Sequence, residues 1–202
     1  MKTLQYNIPG SLEKIFKSYD YEEDGGMVIS GLTYQDKDLV VTFNLYPSSD
    51  RQTKHIWELK IINIAAENFS RSWTTHFSFY SDHFLLCELT DVKGDLYYNG
   101  KAKNSEKLFI DLYKAHLKTY YDNFPFAYGI NAAMDIFKLC KDGSGMFARG
   151  PKQVLEKYQI CLAKHNIQSN FVGSSIKPEN KLKLLIFGES YFIGEEFLFT
   201  EV

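Results

Sequence analysis

The sequence predicts an α+β fold, in which an antiparallel sheet from the N-terminal half is joined by a C-terminal hairpin and about three helices pack on one face. Alternating apolar and polar residues fill much of the first hundred positions, apolar residues then recur at helical spacing, and two short apolar runs end the chain. Because 202 residues suit one domain, we expect a single domain over 1–202. It is mainly β over 1–100, helical over 104–167 and a β-hairpin over 181–200.

The first half of the chain predicts one short helix, an acidic loop and a series of strands. Ser11 can cap a helix over 11–18, and the acidic residues 20–24 follow as a loop ended by two glycines. Over 38–46 apolar and polar residues alternate, which is typical of a sheet with one core face. The predicted strands are 27–34, 38–46, 53–64, 74–80, 84–89 and 94–99, the first two joined as a hairpin.

The middle of the chain predicts three helices. Over 105–122 polar residues recur at steps of three or four, which leaves a wide apolar stripe on the opposite face. Pro125 ends this run and opens a second helix over 126–140, and Gly143 is a natural left-handed stop for it. A third helix covers 151–166. Each helix has one apolar side that must be buried.

Two arrangements of the last segment remain open. Residues 181–187 and 191–199 predict a hairpin about a Gly-Glu-Ser turn, and 170–180 is the best candidate for a mobile connection. The hairpin either returns to the first sheet or pairs only with itself and lies on the helices. Since a lone two-stranded hairpin is marginally stable, we expect it to join the first sheet.

Composition narrows the classes of function. The chain has 23 Lys and Arg against 25 Asp and Glu, and this balance argues against nucleic acid as a partner. The N-terminus lacks the apolar core of a signal peptide, and no run approaches the ~20 apolar residues that span a bilayer. The three cysteines are scattered and lie in apolar surroundings, as in a reducing compartment. We therefore expect a cytoplasmic protein with no membrane association and no cofactor.

Two histidines and an aspartate form the most suggestive cluster. His76, Asp82 and His83 fall in a stretch that is rich in hydroxyl groups, and these residue types serve acid–base chemistry or metal binding. On a continuous strand, however, two residues an odd number of positions apart point to opposite faces. No second histidine spacing supports a metal site. A polar sheet face followed by a turn explains the same residues.

A glycine-rich stretch over 143–152 is the second candidate. Free N–H groups, a following helix and the side chain of Arg149 would attract a phosphate or carboxylate. The stretch follows a helix rather than a strand and lacks a nucleotide-binding signature. The simpler interpretation is a helix stop, a turn and a helix start. Together with His76, Asp82 and His83, Arg149 would serve a small-molecule pocket between sheet and helices.

The acidic residues Asp20, Glu22, Glu23 and Asp24 are the candidate partner-binding site. Their spacing does not match a calcium-binding loop. They form either a solvated loop or an electrostatic contact for a basic partner, which raises the association rate more than the affinity.

No catalytic signature accompanies these candidates. The chain has no Gly-x-Ser-x-Gly elbow, and we expect none of its cysteines to have a lowered pKa. Aromatic residues make up 16% of the chain, and Tyr and Trp favour protein interfaces. We interpret the chain as a non-enzymatic cytosolic protein-binding domain, of the kind that bacteria use as immunity proteins to neutralise toxins. The alternative is a small-molecule-binding protein or an enzyme. Neither the partner nor the oligomeric state follows from the sequence.

Overall fold

The structure, a computed structural model, describes residues 2–4, 6–48, 53–120, 130, 135–174 and 181–202. Contacts within the chain define two compact units. Unit 1 comprises Met1–His83 together with Lys181–Val202, and unit 2 comprises Phe84–Asn180. The mixed α+β class with mostly antiparallel sheets is confirmed. The single domain over 1–202 stays a prediction.

The described strands of unit 1 are β1 (Lys2–Leu4), β2 (Gly26–Gln35), β3 (Asp38–Tyr46), β4 (His55–Ile62), β5 (Ala66–Asn68), β6 (Phe77–Asp82), β10 (Lys183–Phe187), β11 (Ser190–Gly194) and β12 (Glu196–Glu201). They form two antiparallel sheets. One has five strands in the order β1-β6-β10-β11-β5, and the other has four in the order β12-β4-β3-β2.

The two sheets of unit 1 share one hydrophobic core. Alternate residues of β3 and β4, among them Phe43 and Trp57, are fully buried in it, as the alternating pattern predicts. Phe79 and Phe187 enter the same core from the five-stranded sheet. Tyr6 packs against this core. Its ring stacks on Phe79 with centroids 4.2 Å apart, and its hydroxyl accepts a hydrogen bond from a β12 amide.

The C-terminal hairpin pairs with strands of the N-terminal half, but the prediction that those strands form one sheet is wrong, because they are divided among three sheets. β10 and β11 pair with each other about the expected turn, β10 also pairs with β6, and β11 pairs with β5. The predicted second strand is, however, divided at Glu195, after which β12 pairs with β4 in the other sheet. Gly194 permits this crossing, since a Cβ there would lie 2.5 Å from the Ile61 side chain.

Two short helices belong to unit 1, α1 (Gly10–Phe16) and α2 (Tyr19–Asp24). The first confirms the predicted helix near 11–18. The prediction of an acidic loop over 20–24 is wrong, because these residues form α2. The Ser18 hydroxyl accepts a hydrogen bond from the Tyr21 amide, and two acidic residues in the first turn suit the positive end of the helix.

The described residues of unit 2 form the elements α3 (Phe84–Thr90), β7 (Lys93–Asn99), α4 (Ser105–Tyr120), α5 (Ile136–Lys141), β8 (Ser144–Pro151), α6 (Lys152–Lys164) and β9 (Gln168–Gly173). The three strands make an antiparallel sheet in the order β8-β7-β9. The side chains of Leu96, Phe147 and Tyr158 lie in a core that sheet and helices share.

The helices α4 and α6 confirm two of the three predicted helices of the middle segment. Of the second, predicted over 126–140, much lies outside the described residues, and α5 covers its C-terminal end. The described residues contain six helices, and an arrangement of about three on one face of the sheet is not confirmed.

Two predicted elements of unit 2 are wrong. Residues 84–89 form helix α3 rather than a strand, because a short apolar run without alternation suits either structure. Residues 144–151 form strand β8 rather than a loop, with Gly145 and Gly150 at φ values of 143° and 155° that favour glycine. Part of the predicted mobile connection, up to Gly173, is strand β9, and 175–180 lie outside the described residues. None of the described helices could span a bilayer, given their length and polarity.

Candidate functional site

The predicted partner-binding residues all lie on α2. Asp20, Glu22, Glu23 and Asp24 are exposed, and they occupy four of the six positions of the helix. Tyr19, at the start of the same helix, has 74% of its surface exposed. The helix therefore presents four carboxylates and one aromatic ring to solvent within a short segment.

Tyr21 fixes this helix to the body of unit 1. Its side chain is 5% exposed, its ring lies 5.1 Å from that of Phe16, and its hydroxyl donates a hydrogen bond of 2.8 Å to the Thr75 carbonyl. Burial raises the pKa of the Tyr21 hydroxyl, so the group stays protonated and keeps this donor. The carboxylates thus project from an anchored element.

His76, Asp82 and His83 do not converge. His76 is exposed just before β6, where its Nδ1 lies 3.2 Å from the Thr75 hydroxyl, while His83 is buried just after β6. The length of the strand separates the two histidines by roughly 20 Å. Burial lowers the pKa of His83, and the neighbouring Asp82 opposes this shift. The described residues contain no group of three or more His, Cys, Asp or Glu side chains able to hold a metal ion.

Arg149 lies in unit 2, on β8, and binds Asp95 on β7. Its Nε is 2.6 Å from one carboxylate oxygen of Asp95 and a terminal nitrogen is 3.2 Å from the other. This two-point contact joins residues that the strand register places opposite each other. The guanidinium group lowers the pKa of Asp95. In this arrangement Arg149 stabilises a sheet pair.

A groove between α4 and α6, which sequence reasoning missed, is lined by four lysines. The helices run antiparallel: Asp111 meets His165 at 3.0 Å, and His116 meets Tyr158 at 3.0 Å further along. The cavity measures about 400 Å³. We call it the α4–α6 groove; it is lined by Phe84, Asp111, Lys114, Ala115, Lys118, Thr119, Lys157, Ile160, Cys161 and Lys164.

Asp111 of this groove contacts both Cys161 and His165, and these residue types invite comparison with a nucleophilic triad. The geometry is not that of an activated thiol. Burial raises the pKa of Cys161, and its Sγ donates to the backbone oxygen of Asp111 at 3.6 Å. His165 Nε2 faces the Asp111 carboxylate, and this contact lowers the pKa of Asp111. The three groups therefore fasten α4 to α6 and leave the thiol protonated.

A second cavity, of about 760 Å³, lies between the sheet and α6 in unit 2. Carboxamide side chains and one exposed tyrosine, Tyr97, dominate its lining, and none of His76, Asp82, His83 or Arg149 contributes to it. From α6, the Gln159 side chain donates a hydrogen bond of 3.1 Å to the Ser169 carbonyl on β9. The amides are Asn99, Gln159, Asn166, Gln168 and Asn170.

No match was found when the chain was compared with known protein families, with curated proteins and with solved structures.

Proposed function

We propose that this chain is a non-enzymatic protein-binding domain that recognises a basic surface of its partner through α2. The observation that carries this proposal is the anchored acidic helix: four exposed carboxylates and Tyr19 project from six residues that the buried Tyr21 fixes in place. Clustered charge of one sign steers an oppositely charged partner toward the surface and speeds association. An exposed tyrosine supplies apolar contact area at low entropic cost.

The placement of the other ionisable groups supports binding over catalysis. Asp95 is paired with Arg149 and Asp111 with His165, so each of these carboxylates is engaged in holding two elements together. Burial raises the pKa of Cys140 to about 11, which makes its thiol a poor nucleophile.

A cytoplasmic immunity-type role is the specific form of this function that we favour. A toxin with a basic functional surface would be covered by α2 and blocked by occupancy alone, which requires no chemistry from the chain. Fast association matters for such a role, because a toxin must be captured before it acts, and clustered carboxylates favour speed.

The test compares two variants that each remove four negative charges. One carries Asp20→Asn, Glu22→Gln, Glu23→Gln and Asp24→Asn, and leaves Ser18 and Tyr21 intact. The control carries Gln at four exposed glutamates outside α2. These are Glu58, Glu106, Glu156 and Glu196.

Tagged wild type and both variants are used to capture partners from the cells that produce the chain, and the captured protein is purified for stopped-flow binding. We expect the α2 variant to associate about tenfold more slowly or worse, with a shallower dependence on salt, while the control matches wild type. If both variants associate alike, α2 is not the binding surface. If the partner is a toxin, the wild type abolishes its activity at equal stoichiometry.

A second candidate function is the binding of a neutral polar small molecule in the amide-lined cavity of unit 2. Its volume of about 760 Å³ lies within the range of ligand pockets, and carboxamides both donate and accept hydrogen bonds. A ligand of this site raises the unfolding temperature of the chain. Replacement of Asn99 and Asn170 by Ala should remove that shift, whereas the α2 variant should retain it.

A further inference from the structure

The lining of the α4–α6 groove combines positive charge with apolar surface. Lys114 and Lys118 stand one turn apart on α4, and Lys157 and Lys164 stand two turns apart on α6. Between them lies Ile160, which is 54% exposed although it is an aliphatic side chain. The antiparallel pairing of the two helices brings these residues to one cavity.

The positive charge of the groove exceeds the negative charge of its described lining, although Lys164 lies near enough to Asp111 to help lower the pKa of that carboxyl. Within the described part of the chain, none of these four lysines forms an ion pair, and the Lys157 ammonium instead lies 5.7 Å from the centre of the Phe84 ring. The only carboxylate in the described lining is Asp111, which His165 already engages. The chain as a whole has slightly more acidic than basic residues, so this local excess departs from its average.

We propose that the α4–α6 groove binds a small anionic amphiphile, that is, a molecule with a phosphate or carboxylate group joined to a short apolar chain. The lysine ammonium groups hold the anionic group, since ammonium is an effective point-charge ligand for phosphate. Ile160, Ala115 and the Phe84 ring cover the apolar part. This site is separate from α2 and does not depend on the function proposed for that helix.

The size of the groove favours a single small molecule over a membrane surface or a protein segment. Its volume of about 400 Å³ lies at the lower end of the range of small-molecule pockets. Four lysines are at the lower limit of the basic clusters that bind anionic lipid surfaces, and here they line one concavity.

The experiment is calorimetric titration of the full chain with decyl phosphate below its micelle concentration. Inorganic phosphate, which has the charge alone, and decyl glucoside, which has the chain alone, are titrated in parallel. The groove variant carries Gln at Lys114, Lys118, Lys157 and Lys164. A control variant carries Gln at four exposed lysines elsewhere, namely Lys14, Lys54, Lys103 and Lys141. Circular dichroism confirms that both variants fold.

We expect decyl phosphate to bind wild type and control alike and the groove variant about tenfold more weakly or worse. Ile160→Ser should weaken the binding of decyl phosphate about fivefold and leave the binding of inorganic phosphate unchanged, because the substitution removes apolar contact only. Equal affinity of the groove and control variants for decyl phosphate would overturn the proposal. It would also be overturned if wild type bound decyl glucoside as tightly as decyl phosphate. Binding of phosphatidylglycerol vesicles or hexaglutamate without binding of monomeric decyl phosphate would also overturn it, in favour of a membrane or an acidic protein.

Discussion

The buried hydrogen bond between α4 and α6 gives a sharp test of how unit 2 is held together. His116 and Tyr158 are each 1% exposed, and the Tyr158 hydroxyl lies 3.0 Å from His116 Nδ1. The substitution Tyr158→Phe removes only the hydroxyl and keeps the ring, so it deletes the hydrogen bond without opening a cavity.

The expected magnitude follows from burial. A buried neutral hydrogen bond contributes about 1 kcal/mol net, and a polar atom left buried without its partner costs about 1–3 kcal/mol. We expect Tyr158→Phe to lower the free energy of unfolding of unit 2 by about 1.5 kcal/mol. With a urea slope of about 1.5 kcal/mol/M for a unit of this size, the midpoint falls by about 1 M.

The chain supplies its own probe for each unit. Both tryptophans, Trp57 and Trp73, lie in unit 1, and all three cysteines lie buried in unit 2. Labelling of thiols in increasing urea therefore reports the unfolding of unit 2, and tryptophan fluorescence reports that of unit 1. Tyr97→Phe is the matched control, because Tyr97 is 43% exposed and should change stability by less than about 0.5 kcal/mol. Equal thiol-labelling midpoints for Tyr158→Phe and Tyr97→Phe would refute the reasoning.

Three further predictions follow from single contacts. Arg149→Gln should raise the pKa of Asp95 toward 3.8, as measured by NMR titration. Because the pKa of Asp95 is lower in the folded than in the unfolded chain, the ion pair stabilises unit 2 above pH 3.8. The difference in stability between the variant and wild type should vanish as the pH falls through the folded-state pKa. Because the pKa of His83 is lowered in the folded chain, the unfolded chain binds the proton more readily. Unit 1 should therefore lose stability as the pH falls through 6.5, and tryptophan fluorescence measures this loss. His83→Gln should make the stability of unit 1 depend less on pH in this range. Gly194→Ala should destabilise unit 1 by about 1–3 kcal/mol in urea, since its Cβ meets a β4 side chain at 2.5 Å, whereas Gly10→Ala meets nothing within 4 Å and should be nearly neutral.

The elements that the sequence predicted well are those with a long, unambiguous period. The helix predicted over 105–122 is observed as Ser105–Tyr120, and the alternating strand over 38–46 is observed as Asp38–Tyr46. In each element one face is buried and the other is polar, so the spacing of the apolar residues along the sequence indicates a helix or a strand directly.

Short elements were predicted poorly because local signals compete. The segment Tyr19–Asp24 carries a capping serine and an acidic first turn, which are helix signals, but its six residues and closing glycines equally suit a loop. The glycines of Ser144–Pro151 suggested a turn, whereas pairing with β7 makes that segment a strand. Such pairings join residues about 50 positions apart, and no local pattern specifies them.

The α4–α6 groove shows why an even charge total is a weak guide to ligands. Near-neutral composition limits the long-range field of a protein and so argues against extended polyanions. A ligand in a cavity of about 400 Å³ contacts only the lining of that cavity. The described lining contains four lysines and one carboxylate, which is already paired. Along the sequence Lys114 and Lys118 look like the solvated face of one helix and Lys157 and Lys164 like that of another. They become a site only through the register of the two helices, and the contacts of Asp111 with His165 and of His116 with Tyr158 set that register. The substitution Tyr158→Phe breaks the second of these contacts without touching a lysine or Asp111, so it should weaken the binding of decyl phosphate in a calorimetric titration, which links the stability of unit 2 to the chemistry of its groove.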